Sequence, residues 1–140
     1  MQHAEREREL TVLVVDDDEE MRNLLKDVLN DALRPGGVRL IEASSGERAM
    51  AIAMTERFDL VVLDKELPGM NGLDLLEIFH RRIPEVPVIL ITAFGGSSVA
   101  DKAFRYGAKR YLEKPFPLHE LLAAVRNVAG PLKRLTGGPS

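Results

Sequence analysis

The chain has 140 residues, of which 45% are hydrophobic and 29% charged, and its formal net charge is -3. This length suits one domain with a sizeable core, and the composition is that of a globular chain rather than a disordered one. The acidic balance gives no electrostatic case for binding nucleic acid or an anionic membrane, and the lack of cysteine excludes disulfides, thiolate metal sites and a cysteine nucleophile.

The two ends of the chain differ in composition from its centre. Residues 1–9 are polar and charge-dense, and residues 130–140 are rich in glycine and proline. We therefore expect a flexible leader, one folded domain over residues 10–129, and a flexible tail or linker. No apolar run approaches the length of a membrane span, and the start lacks the apolar segment of a signal peptide, so we expect a cytoplasmic protein.

Five short apolar runs predict β-strands. In chain order they cover residues 12–15, 38–41, 60–63, 88–91 and 110–112. The first, third and fourth runs are continuously apolar, which is typical of strands covered on both faces in a parallel sheet. The second and fifth each carry a basic residue, which suits an edge of the sheet, where charge discourages further pairing.

Stretches with apolar residues at helical spacing lie between and after these runs. In chain order they contain Met21, Leu24, Leu25, Val28, Leu29 and Ala32; Ala49, Ile52 and Ala53; Leu75, Leu76 and Phe79; Ala100, Ala103 and Phe104; and Leu118, Leu121, Leu122 and Val125. Asp18 can cap the first helix, and Gly107 closes the fourth. Five strands alternating with five helices predict a three-layer α/β sandwich, in which ligands bind at the carboxyl ends of the strands.

Polar residues stand at four of the predicted strand ends. In chain order they are Asp16, Asp17 and Asp18, then Asp64, Thr92 and Lys114. Bringing carboxylates together is costly, because two unit charges ~4 Å apart repel by about 4 kcal/mol at an effective dielectric constant of 20. A bound cation relieves this repulsion, and oxygen ligands without histidine or cysteine favour Mg²⁺.

The same residues supply the groups that phosphoryl transfer needs. The carboxylates offer an oxygen nucleophile and metal ligands, Lys114 a positive charge, and Thr92 a neutral hydrogen-bond donor. Each feature alone has a structural interpretation: the acidic triplet could cap a helix, and Lys114 could be a surface residue before a proline. Their joint occurrence at successive strand ends favours the functional interpretation.

With these motifs in place, residues 10–128 resemble the receiver domain of bacterial response regulators, the chemotaxis-regulator-like module of two-component systems. The similarity lies in residues 13–18 with Arg22, residues 61–72, residues 89–95 and residues 111–116. It implies a flavodoxin-like doubly wound (βα)5 fold, with a parallel sheet of order 2-1-3-4-5 and helices on both faces.

The resemblance implies a phosphorylation site with a metal. Asp64 is then the residue that accepts the phosphoryl group. Asp17 binds Mg²⁺ directly and Asp16 mainly through water, with Asp64 and the backbone carbonyl of Glu66 as further ligands, and Mn²⁺ is able to substitute. Asp18 is left as a helix cap, although the triplet leaves a one-residue ambiguity in this alignment.

The resemblance also implies a switch. Lys114 pairs with the phosphoryl group, and the peptide bond between Lys114 and Pro115 is expected to be cis. Thr92 and Tyr111 form the switch pair, which responds to the charge that phosphorylation adds. The fourth helix, fifth strand and fifth helix, roughly residues 97–128, would present the surface that a downstream protein reads.

Five positions near the nucleophile bear on how far the resemblance extends. Asn71 and Leu67 differ from the family's usual residues but are expected to keep the turn. Lys65 is an unusual charge, facing either an acidic partner or, as we favour, solvent. Glu66 and Phe94 occupy positions whose side chains tune the lifetime of the phosphoryl group.

The resemblance implies a signalling switch that receives its phosphoryl group from a sensor histidine kinase or a histidine phosphotransfer protein. We expect a monomer or a phosphorylation-promoted dimer that is not an enzyme acting on outside substrates. One alternative is an Mg²⁺-dependent aspartyl-phosphate phosphohydrolase, with Glu66 at the offset of its general acid, but the length leaves no room for a cap domain. Another is a phosphorylation-independent adaptor, which needs no crowded carboxylates. The protein could be free-standing or part of a longer chain.

Overall fold

The computed structural model describes residues 8–133 and shows five parallel strands alternating with five helices. Its elements are β1 (Leu10–Val15), α1 (Glu19–Ala32), β2 (Val38–Ala43), α2 (Gly46–Thr55), β3 (Leu60–Asp64), α3 (Gly72–Arg82), β4 (Val88–Thr92), α4 (Ser97–Arg105), β5 (Arg110–Glu113) and α5 (Leu118–Lys133). The strand order is β2-β1-β3-β4-β5, and every pairing is parallel. The predicted flavodoxin-like fold and the edge positions of the second and fifth strands are confirmed.

The three central strands are buried on both faces, because alternate side chains enter two separate cores. In β1, Val12 and Val14 pack with the helices α1 and α5, whereas Leu13 and Val15 pack with α2 and α3. All residues of β3 and β4 are buried, whereas the edge strands β2 and β5 are partly exposed. This two-sided burial explains the continuous apolar runs in the sequence.

Side-chain caps fix the starts of the first three helices, next to the carboxyl edge of the sheet. Asp18 accepts a hydrogen bond from the backbone N–H of Glu20 at 3.0 Å, so the predicted cap of α1 is present. Ser45 caps α2, and Asn71 caps α3 by accepting from the N–H of Leu73 at 2.8 Å. Asn71 therefore keeps the turn after β3, as expected from the sequence.

Three residues of the predicted apolar stripes are exposed instead of buried. They are Leu24 on α1, Phe104 on α4 and Leu118 at the start of α5. A helix that lies on a sheet buries only the stripe that faces it, and residues at the margins of that stripe stay in solvent. Phe104 nevertheless contacts the ring of Tyr111, with ring centroids 6.3 Å apart.

The helix α5 extends four residues past the predicted boundary at residue 129, through Pro131 to Lys133. Burial explains the extension, since Leu132 packs against the core beside α1. Arg8, within the predicted leader, donates to the Leu132 carbonyl at 3.3 Å and pairs with Asp59 at 2.7 Å. The rest of the leader and tail, residues 1–7 and 134–140, lie outside the described residues. Within residues 8–133, no helix is both long and apolar enough to cross a membrane.

Candidate functional site

The carboxyl edge of the sheet brings together residues that are far apart in the chain. Asp16 follows β1, and Asp64 is the last residue of β3. Carboxylate oxygens of Asp16, Asp17 and Asp64 all lie within 4.8 Å of one another. Lys114, directly after β5, places its Nζ 3.6 Å from Asp64 Oδ2 and 3.8 Å from Asp16 Oδ2. The predicted convergence of the strand ends is present.

Asp16 is held by its backbone and by one carboxylate oxygen. Its N–H donates to the carbonyl of Ala43 at 3.0 Å, and its Oδ1 accepts from the N–H of Asp18 at 2.9 Å. Oδ2 is buried and has no hydrogen-bond partner among residues 8–133. Burial is the main cause that raises the pKa of Asp16. A buried carboxylate oxygen without a hydrogen bond, next to two further carboxylates, fits a bound cation.

Asp64 is buried beside Asp16, and this placement shifts its ionisation. Burial, followed by the negative charge of Asp16, raises the pKa of Asp64 from 3.8 to about 7. Lys114 and the backbone N–H of Glu66, which donates to Asp64 Oδ1 at 3.3 Å, oppose this shift. Ionising both buried carboxylates is therefore costly unless positive charge is added to the site.

Lys114 reaches the aspartates from the edge strand next to β4. Its backbone N–H donates to the carbonyl of Thr92 at 2.8 Å, and the peptide bond between Lys114 and Pro115 is cis. The side chain is mostly buried, with 22% of its area exposed. A partly buried ammonium between two carboxylates is suited to binding an anionic group that arrives at the same place.

The hydroxyl of Thr92 contacts Glu66. It donates to Glu66 Oε2 at 2.6 Å and accepts from the N–H of Phe94 at 3.0 Å. Glu66 also accepts from the N–H of Ala93 at 2.8 Å and lies 3.2 Å from the Nζ of Lys65. Burial acts to raise the pKa of Glu66, but these hydrogen bonds and the lysine charge outweigh it, so the pKa is lowered.

The preference for Lys65 facing solvent is wrong. Only 16% of its side-chain area is exposed, and its ammonium pairs with the neighbouring Glu66. The pairing follows from attraction between opposite charges on a partly buried surface, where screening by water is weaker than in bulk. Phe94, which together with Glu66 is expected to tune the lifetime of the phosphoryl group, is exposed.

Tyr111 forms a hydrogen bond with Glu113, a residue outside the predicted site. Its hydroxyl donates to Glu113 Oε2 at 2.8 Å, and the same oxygen accepts from the N–H of Gly96 at 2.8 Å. Burial, then Glu113, raises the pKa of Tyr111 to about 12. The two side chains stand two residues apart on β5 and so share one face of the strand. That spacing is the sequence signal that could have identified Glu113.

A fold of this kind, with acidic residues and a lysine at this edge of the sheet, defines the receiver class of two-component signalling proteins. The chain belongs to the response regulator receiver domain family, whose sequence model matches residues 12–126. It is 40% identical over 122 residues to the response regulator protein FleR of Pseudomonas aeruginosa, covering 86% of this chain and 25% of FleR. It is 34% identical to sporulation initiation phosphotransferase F of Bacillus subtilis, covering 87% of this chain and 94% of that protein.

A solved structure shows the same architecture. The receiver domain of the Francisella response regulator 1452 superposes with a TM-score of 0.77 at 27% identity, covering 89% of this chain and 99% of that one. Membership of this family makes phosphorelay signalling the general role of the chain, and the family's acidic cluster is the one seen here.

The expectation that the protein is not an enzyme is wrong. The chain is 43% identical over 112 residues to a protein of Pyrococcus horikoshii named protein-glutamate methylesterase/protein-glutamine glutaminase, which is an enzyme. The match covers 77% of this chain but 29% of that protein. Other relatives are named transcriptional regulatory proteins, and the match covers about half of each. Similarity in the receiver region therefore does not exclude an enzyme.

Proposed function

We propose that the chain accepts one phosphoryl group on Asp64 from a phosphohistidine of a sensor histidine kinase or a histidine phosphotransfer protein. One observation carries this proposal: three carboxylates lie within 4.8 Å of one another, and Lys114 lies 3.6 Å from Asp64. An oxygen nucleophile beside cation-binding carboxylates and an ammonium is the arrangement that phosphoryl transfer requires. The family membership supports the same reaction.

Asp16, Asp17, Asp64 and the backbone carbonyl of Glu66 would hold Mg²⁺, with Mn²⁺ as a substitute. The donor set consists of oxygen alone, which suits a hard cation, and its member Asp16 has a buried Oδ2 without a hydrogen bond within residues 8–133. A divalent cation bound there would neutralise charge on the carboxylates and on the incoming phosphoryl oxygens.

The transfer itself uses three side chains. A carboxylate oxygen of Asp64 attacks phosphorus, the phosphorus–nitrogen bond of the phosphohistidine breaks, and the imidazole leaves with that electron pair and takes a proton from water. Lys114 stabilises the charge of the phosphoryl group from its position 3.6 Å from Asp64. The hydroxyl of Thr92 breaks its hydrogen bond with Glu66 and donates a hydrogen bond to a phosphoryl oxygen instead.

The response then spreads to the surface formed by α4, β5 and α5, roughly residues 97–128. Tyr111 lies on this surface between Phe104 and Glu113, so movement of Thr92 and of the loop after β4 changes its surroundings. We propose that a downstream protein binds this surface after phosphorylation, and that a phosphorylation-promoted dimer is the alternative use. The chain spans 25% of the length of FleR. The similarity to FleR therefore does not show what this protein does after it is phosphorylated.

Mass spectrometry of the intact protein tests the proposal. Acetyl phosphate with Mg²⁺ should add one phosphoryl group to the wild type and none to Asp64→Asn, and EDTA should suppress the labelling. Asp74→Asn, which changes an exposed aspartate in the first turn of α3, is the matched control and should be labelled fully. Full labelling of Asp64→Asn would contradict the assignment, and steady turnover of a generic phosphomonoester would favour the phosphohydrolase.

A further inference from the structure

Arg22 on α1 contacts the backbone of the acidic loop rather than its carboxylates. Its Nη1 donates to the backbone carbonyl of Asp16 at 2.7 Å, and its Nε donates to Glu42 Oε1 at 2.9 Å. Only 16% of its side-chain area is exposed. The guanidinium therefore bridges the end of β1 and the edge strand β2 through two charge-assisted hydrogen bonds.

The contact with Arg22 completes the fixation of Asp16. The N–H of Asp16 is held by the carbonyl of Ala43, its Oδ1 by the N–H of Asp18, and its carbonyl by Arg22. The remaining polar atom, Oδ2, lies 3.8 Å from the Nζ of Lys114 and has no hydrogen bond within residues 8–133. The orientation of this oxygen toward the shared site thus depends on a peptide that Arg22 holds.

The charge of Arg22 is offset by Glu42. The carboxylate of Glu42 accepts from Arg22 and also pairs with Lys26 at 3.5 Å. A neutralised guanidinium orients the loop without adding a free positive charge that would compete with a bound cation. Arg22 is therefore suited to affect the site by orienting the loop at Asp16 rather than by its charge.

We propose that Arg22 is a positioning residue that sets the affinity of the carboxylate site for its divalent cation, an inference that rests on the proposed function. Residues that orient metal ligands change metal affinity by roughly 10–100-fold when they are removed. Arg22→Met keeps much of the apolar stem but loses both hydrogen bonds. It should weaken Mg²⁺ binding by about tenfold while leaving the phosphorylation rate at saturating Mg²⁺ close to that of the wild type.

Calorimetric titration of Mg²⁺ into the unphosphorylated protein measures this affinity independently of activity. Lys26→Met is the matched control, because Lys26 lies on the same helix and pairs with the same glutamate. It should change the dissociation constant by no more than about twofold, the scatter expected of a surface substitution. Arg22→Lys, which can reach one of the two acceptors but not both, should fall between the wild type and Arg22→Met.

A purely structural role makes a different prediction. The free energy of unfolding of Arg22→Met would then fall equally in EDTA and in Mg²⁺, and the dissociation constant would stay near that of the wild type; this result overturns the proposal. If Arg22→Met does not fold, an unchanged dissociation constant in Arg22→Lys overturns it. The two proposals can fail separately. If the wild type does not accept a phosphoryl group but Arg22→Met still weakens Mg²⁺ binding, only the proposed function is contradicted.

Discussion

The hydroxyl of Thr92 donates a hydrogen bond to the carboxylate of Glu66, with 2.6 Å between Thr92 Oγ1 and Glu66 Oε2. A hydroxyl has a single proton, so Thr92 cannot donate to Glu66 and to a phosphoryl oxygen at the same time. Under the phosphorylation proposed for Asp64, Glu66 would therefore compete with the phosphoryl group for the hydroxyl of Thr92. This competition would make Glu66 a determinant of how tightly the site binds a phosphoryl group.

Replacing Glu66 by alanine should strengthen binding of the phosphoryl mimic beryllofluoride at saturating Mg²⁺. The change frees the Thr92 hydroxyl and removes a negative charge near Asp64, while the backbone carbonyl of residue 66 is retained. Hydrogen bonds to charged groups contribute about 1.5–3 kcal/mol, so we expect an increase in affinity of at least about tenfold, the lower end of that range. Titration followed by the NMR shift of the Thr92 amide measures it.

The control for this substitution is Glu47→Ala, which removes an exposed glutamate from the first turn of α2. It should leave the beryllofluoride affinity unchanged, because it alters net charge equally without touching Thr92. Unchanged or weaker binding by Glu66→Ala would show that the carboxylate does not compete for the hydroxyl.

The hydrogen bond between Tyr111 and Glu113 leads to a separate prediction. Glu113→Ala removes the acceptor of the Gly96 N–H, so hydrogen exchange at the Gly96 amide should become faster. Tyr111→Phe removes only the phenol hydroxyl and leaves that acceptor in place. Exchange measured by NMR should therefore be fast in the first variant and close to wild type in the second; equal rates in both would contradict the contact.

The sequence predicts the fold and the gathering of the acidic residues for one physical reason. Parallel strands place their carboxyl ends at one edge of the sheet, so the residues after each apolar run meet there whatever rotamers their side chains adopt. Asp16, Asp64 and Lys114 follow this rule, and no rotamer needs to be known to apply it.

The contacts of the side chains around that edge were harder to predict. Glu66 and Thr92 are 26 residues apart, and their hydrogen bond depends on rotamers and on the path of the loop after β4. The same reason explains the error on Lys65, whose ammonium turns toward Glu66. The bond from Arg22 to the carbonyl of Asp16 involves a backbone atom, so no pattern of side-chain types reveals it.

The turn after Asp64 leads to a prediction about steric contacts. A Cβ added at Gly72 would lie 2.4 Å from the Cα of Lys65, which is a backbone atom that cannot move aside. Gly72→Ala should therefore destabilise the fold by at least the ~1–3 kcal/mol typical of overpacking and weaken Mg²⁺ binding, because it displaces the chain beside Asp64. Urea unfolding and calorimetry measure the two effects.

Gly69 provides the matched control in the same turn. A Cβ there meets nothing within 4 Å, but the backbone φ is +77°, so alanine is strained by conformation alone. We expect Gly69→Ala to cost about 1–2 kcal/mol. A smaller loss for Gly72→Ala than for Gly69→Ala would mean that the close approach to Lys65 relaxes easily.

The ionisation of Asp64 predicts how stability changes with pH in the metal-free protein. Its pKa is raised by burial and by Asp16 from 3.8 to about 7. The stabilisation from the protonated carboxyl is then fully present below pH 3.8 and is lost as the pH rises through about 7. In EDTA, the free energy of unfolding should therefore be lower at about pH 8 than at about pH 5.5 through this group.

Saturating Mg²⁺ should reverse that trend, because a cation binds the ionised carboxylates and its binding releases their protons. The gain in unfolding free energy on adding Mg²⁺ should thus be larger at the higher pH. Urea unfolding of the wild type and of Asp64→Asn, with EDTA and with Mg²⁺ at both pH values, isolates the contribution of Asp64. In Asp64→Asn, the unfolding free energy should depend less on pH than in the wild type, both in EDTA and in Mg²⁺. An equal pH dependence in the two proteins would show that groups other than Asp64 cause it.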